Sequence, residues 1–158
     1  MTCRIVNNLI GSIEKYEDLN IKSGFHHYSG IYKNGKPYFI GCNTLRNVYN
    51  GKNVWFSTHA EMSVLSKVLR QCNLQPFKDE ADLSHFVIVV VRYGRDGCLK
   101  NSRPCNHCLD MMIRYRIKRI VYSTDDGIQI EKPENMEKLH VSSGWSAYIN
   151  PERLNKVI

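Results

Sequence analysis

FVIVVVRYGRDGCLKNSRPCNHCLDMMIRYRIKRIVYS, residues 86–123, is the stretch on which the fold turns. Phe86 to Val91 is a short, continuous, Val-rich apolar run, which suits a strand covered on both faces. Pro104 is predicted to open a helix, because proline suits the first helical position and Leu109, Met112 and Tyr115 follow at intervals of three. Ile117 to Ser123 then reads as a second strand. Between the first strand and the helix, Tyr93 to Arg103 carries Gly94, Gly97 and Cys98 and reads as an elaborated loop.

Upstream, Met62, Leu65, Val68, Leu69 and Cys72 line one face of a helix that should begin near Thr58. Before it, the aromatic-rich runs His26 to Tyr32 and Lys36 to Cys42 flank Asn34-Gly35, the strongest short-range hairpin signal. Val6, Leu9, Ile10, Ile13 and Tyr16 recur at helical spacing, so an amphipathic helix should open the chain. Downstream, Thr124-Asp125-Asp126-Gly127 reads as a hairpin turn into a last strand near Ile128 to Glu131. So short a connection joins antiparallel neighbours only. A short helix is expected near Glu134 to Leu139. Alternation of this kind implies an α/β domain, a sheet with helices packed on it whose last strand is antiparallel.

The 158 residues suit one domain, expected to span 1–158. No tract is long enough for a membrane span, and the N-terminus lacks the apolar core of a signal peptide. An intracellular, cytoplasmic location is therefore expected. In that setting the six cysteines read as metal ligands and buried thiols rather than disulfides, with Cys3, Cys42 and Cys72 as packed thiols. The net charge of +7 favours anionic partners, nucleic acid among them. Its densest run, Arg114, Arg116, Lys118 and Arg119, falls where a helix should end, and cations there also complement the helix dipole.

Chemistry concentrates in Thr58-His59-Ala60-Glu61 and Pro104-Cys105-Asn106-His107-Cys108, each at a predicted helix start. Cys105 and Cys108 share a helix face and can grip one ion, and His59 can supply a third ligand. Three protein ligands leave one tetrahedral position of Zn2+ for water, as in catalytic sites. Glu61, two residues beyond His59, reaches that water without ligating and suits a proton shuttle. Other readings of the same residues stand beside this one. Thr58-x-x-Glu61 also fits a capping box. Cys105-x-x-Cys108 also fits a redox pair. Cys98 or His107 could close the zinc site as a purely structural one, although His107 should point away from both cysteines.

His59-x-Glu61 followed by Pro104-Cys105-x-x-Cys108 resembles the zinc signature of the cytidine deaminase superfamily. The resemblance covers about Tyr28 to Tyr122, where hairpin, helix, strand, helix and strand fall in the family's order. It implies a three-layer α/β/α fold with a mixed sheet of about five strands, in which His59, Cys105 and Cys108 hold zinc and Glu61 is the general acid and base of a hydrolytic deaminase. It also implies that Asn43, at the end of the second strand, contacts substrate, with Ala60 and Pro104 beside it. The expected partner is a free nucleoside or nucleotide carrying cytosine, and the expected assembly a homo-oligomer. An antiparallel last strand resembles the branch acting on free nucleosides, whereas members editing nucleic acid or acting on nucleotides usually place a helix before a parallel last strand. A polynucleotide substrate and a non-catalytic, zinc-stabilised descendant are the alternatives. Scarce Ala with abundant Asn, Ile and Lys is similar in flavour to deaminase-like proteins of large DNA viruses.

Overall fold

Asn34 and Gly35 both take positive φ, 52° and 74°, the two-residue turn whose twist matches that of paired strands. The hairpin they close lies at one side of the sheet. The computed structural model describes residues 2–20, 27–43, 48–49, 54–55, 59–75 and 78–139. In chain order these form α1 (Thr2–Asn20), β1 (His27–Lys33), β2 (Lys36–Cys42), β3 (Val48–Tyr49), β4 (Val54–Trp55), α2 (Ala60–Gln71), β5 (Phe86–Tyr93), β6 (Leu99–Lys100), α3 (Asn106–Arg114), β7 (Arg119–Thr124), β8 (Gly127–Glu131) and the 3-10 turn Pro133–Asn135.

The main sheet runs β2-β1-β5-β7-β8, with β6 added to the end of β5, and β3 pairs separately with β4. Only β5 and β7 among the described paired strands are parallel, from Val87 opposite Arg119 to Val90 opposite Tyr122. Their connection passes through α3, as a parallel crossover requires. The last strand is antiparallel, with no helix before it, as the short connection predicts. Asp125 and Asp126 form its loop, and Gly127, φ 131°, takes the positive-φ position after them.

Successive strand residues point to opposite faces, so two cores form. Ile88 and Val90 of β5, with Ile31, Ile120 and Tyr122, pack against α2 and α3. Val89 and Val91, with Tyr28, Tyr32 and Val121, pack against Ile5, Val6, Leu9 and Ile13 of α1. The result is the expected α/β/α layering. Helix α2 lies very close to β2, where a Cβ built on Gly41 would stand 2.7 Å from the Ser63 hydroxyl. Lys67 Nζ then donates to the Ile40 carbonyl at 3.0 Å, which aligns the helix along the strand.

Several expectations need correction. Helix α3 begins at Asn106 with Cys105 as its N-cap, so Pro104 precedes the cap and is not the first helical residue. The expected helix near Glu134 to Leu139 is one 3-10 turn, Pro133–Asn135, followed by buried Met136. Cys72 is exposed because it caps α2 and Asn73, φ 58°, turns the chain away. Cys3 is exposed as well, and Cys42, ending the outer strand β2, is half-buried. Cys3 and Cys72 are therefore not packed thiols, whereas Cys42 packs against the core between the sheet and α1, as expected. The basic run does lie at the end of α3, where exposed Arg116 takes φ 59° in the turn out of the helix. No described helix is long and apolar enough to cross a membrane.

Candidate metal centre

His59 and Cys105 occupy the same local position on two helices. Both have extended backbone, φ −68° ψ 153° and φ −70° ψ 162°, and both are N-caps without a side-chain capping bond. Their carbonyls accept the first intrahelical bonds, from Ser63 N–H at 2.9 Å and Leu109 N–H at 3.0 Å. Side chains free of capping duty are available to a ligand. The orphan N–H groups and positive dipole ends of both helices meet there and favour thiolate.

The His59 Nδ1 atom lies 3.5 Å from Cys105 Sγ and 3.3 Å from Cys108 Sγ. All three donor atoms lie within 4.8 Å of one another. Tetrahedral zinc with Zn–N and Zn–S bonds of usual length needs N···S separations of about 3.5 Å, so the group fits Zn2+ nearly unmoved. Its donor chemistry, one imidazole and two thiols, also suits zinc. The two thiols are already divided. Cys105 is lowered to about 3 by the hydrogen bond from Cys108, with help from the hydrogen bond and charge of His59. Cys108 is pushed well up by that same bond and by burial. Burial would lower the His59 imidazole, but the bond to Cys105 and the charges of Glu61 and Cys105 raise it.

Glu61 lies at the second position of α2 and is buried, 7 % exposed. Burial raises its carboxyl, with the His59 charge opposing. Because the N-cap is His59, Glu61 does not stand where a capping box would put it, and Thr58 lies outside the described residues. Ala60 and Pro104 are both buried beside the ligands. Asn43 follows β2 directly and donates its N–H to the His27 carbonyl at 3.2 Å. Its buried Oδ1 has no hydrogen-bond partner among the described residues. Since Lys67 sits over Ile40 and Ser63 over Gly41, the direction of β2 carries Asn43 toward the N-terminus of α2, where His59 and Glu61 are.

Neither candidate for a fourth ligand joins the group. Cys98 is exposed, and the ligand cluster among the described residues comprises His59, Cys105 and Cys108 alone. The stretch 93–103 is a short hairpin rather than an open loop, with Gly94 N–H bonded to the Cys98 carbonyl at 2.9 Å and β6 paired to β5. Ser102, near the end of that stretch, and Ser123 of β7 are both buried and share hydrogen bonds that spacing and composition gave no means to see, since each is an ordinary polar residue in its own segment. Residues 28–124, more than half of the chain, match the family model described as the cytidine and deoxycytidylate deaminase zinc-binding region. A search of curated proteins finds none that matches the chain.

Proposed function

The chain belongs to the cytidine and deoxycytidylate deaminase family, and we propose that it hydrolyses the exocyclic amine of cytosine in a free nucleoside or nucleotide. Residues 1–158 are read as a single deaminase domain. The observation that carries the proposal is the three-donor group at two helix N-caps with a buried carboxyl, Glu61, beside it.

His59, Cys105 and Cys108 would hold zinc, which supplies a Lewis acid that makes water nucleophilic near neutral pH. Glu61 accepts a proton from that water and delivers protons to the ring nitrogen and the leaving amine. The net change is addition of one water and loss of one ammonia, with the C–N bond to the amine broken. Burial serves Glu61 by raising its carboxyl toward the pH at which it must both take and give a proton. Ala60 and Pro104 would wall the base, and the orphan Asn43 Oδ1 would accept from a substrate hydroxyl. The direct hairpin from β7 to β8 supports the free-nucleoside reading by analogy of fold.

The test is ammonia release from cytidine, deoxycytidine, their monophosphates, adenosine, guanine and single-stranded DNA by zinc-loaded protein. Turnover of a free cytosine nucleoside or nucleotide is expected. Turnover confined to DNA, or salt-sensitive DNA binding without turnover of any free substrate, would overturn the substrate assignment.

A further inference from the structure

The parallel ladder of β5 and β7 ends at Val90 and Tyr122. Beyond that point β5 turns to β6 for its partner, with Arg92 opposite Lys100, and the chain leaving β6 enters the fork between β5 and β7. Ser102 and Ser123 close that fork. Both are buried, 4 % and 0 % exposed.

Their hydrogen bonds are reciprocal. Ser102 Oγ donates to the Val90 carbonyl at 2.8 Å and accepts the Ser123 N–H at 2.9 Å. Ser123 Oγ donates to the Lys100 carbonyl at 2.7 Å and accepts the Arg92 N–H at 3.1 Å. The two hydroxyl oxygens are 2.9 Å apart, and Ser102 N–H donates to the Ser123 carbonyl at 2.8 Å. Each hydroxyl thus replaces backbone partners lost where the strands part.

Only Arg103 and Pro104 separate Ser102 from Cys105. Neither adds slack, because Arg103 N–H is tied to Asn101 Oδ1 at 2.9 Å and proline fixes its own φ. Cys105 must in turn meet His59, which arrives on a different helix, and the two donor atoms are 3.5 Å apart. We propose that Ser102 and Ser123 are positioning residues for the metal centre: the hydroxyl pair pins the chain into the sheet fork and thereby sets Cys105 against His59. The inference rests on the reading of His59, Cys105 and Cys108 as metal ligands.

Removing the Ser102 hydroxyl leaves the Val90 carbonyl and Ser123 N–H buried without that partner, and the chain before Cys105 loses its pin. The probe is Co2+ titrated into the full metal-free chain, read by thiolate-to-cobalt absorption well below the unfolding midpoint. Outer groups that orient ligands are typically worth about 10–100-fold in metal affinity, and a loss of that size is expected for Ser102→Ala. Ser102→Thr, which keeps the hydroxyl, should restore parent affinity. Leu9→Ala, in the core on the opposite sheet face, should lower the unfolding midpoint and leave Co2+ affinity unchanged. Parent-like affinity in Ser102→Ala would overturn the proposal, as would an equal loss in Leu9→Ala. If Ser102→Ala does not fold, Ser123→Ala carries the same expectation and the same refutation. Absence of the thiolate band in the parent chain would overturn the metal reading itself, and the inference with it.

Discussion

Glu61→Gln separates what Glu61 does for the reaction from what it costs the fold. Glu61 is 7 % exposed, and burial is the largest influence raising its carboxyl above the ordinary value of 4.5. Gln matches its volume, so the change removes the charge and the transferable proton while sparing the packing. Loss of a general acid–base group lowers rate by about 10²–10⁴, equivalent to about 2.7–5.4 kcal/mol of barrier. Stability should move the other way. A carboxyl whose folded value is raised contributes stability below its unfolded value, and that contribution is lost as pH rises through the folded value. A tenfold weaker acid in the folded chain costs about 1.4 kcal/mol once the group is ionised. Metal-free Glu61→Gln should therefore melt above the parent at pH 8, with the gap closing as pH falls toward 4. In a chain of this size each kcal/mol moves the midpoint by about 2–4 °C. Melting curves of chelated protein from pH 4 to 8, paired with ammonia release by zinc-loaded protein, read both effects. A gap that stays constant with pH, a lower midpoint at pH 8, or activity within tenfold of the parent would refute the reasoning.

Cys105→Ala combined with Cys108→Ala should leave less than about half an equivalent of zinc per chain by metal analysis, because two of three donors are gone. Asn43→Ala should raise KM about three- to tenfold with kcat preserved, the loss of one hydrogen bond, if the orphan Oδ1 meets substrate in ground and transition states alike. Tyr32, whose hydroxyl donates to Asn8 Oδ1 at 3.0 Å, is raised by burial to about 12. Its folded value lies above its unfolded one, so its contribution is intact below pH 10 and is lost toward pH 12, about 3 kcal/mol in all. Tyr32→Phe should flatten that alkaline decline in denaturant midpoint, and an unchanged slope would reject the assignment.

The helices and strands were legible wherever periodicity reported burial. The run from Phe86 to Val91 in β5 shows this best: Val89 and Val91 meet α1 while Ile88 and Val90 meet α2 and α3, so both faces had to be apolar. Asn34-Gly35 was legible for a different reason, since few residue pairs tolerate two successive positive φ values. Boundaries were less so. Pro104 fits a first helical position, yet Cys105 takes extended backbone as the cap, and nothing in the spacing distinguishes proline before the cap from proline after it. Cys72 continued the apolar period of α2, but the period does not show where a helix stops. The stop is set by Asn73 in the left-handed region.

The metal centre was legible because its ligands are local in sequence: Cys105 and Cys108 are one helical turn apart, and His59 stands two residues from Glu61. What joins the two halves is not local. Helix α2 is seated by Gly41 and Lys67 against β2, and the Cys105 segment is seated by Ser102 against Val90 and Ser123. A motif therefore names the donor atoms, while the 3.3 and 3.5 Å separations between them depend on how far each helix start is held from the sheet. Two short signatures can announce the chemistry from any fold. Here their mutual distance is a property of β2, β5 and β7, and substitutions in those strands should act on metal affinity before they act on the chemistry of bound substrate.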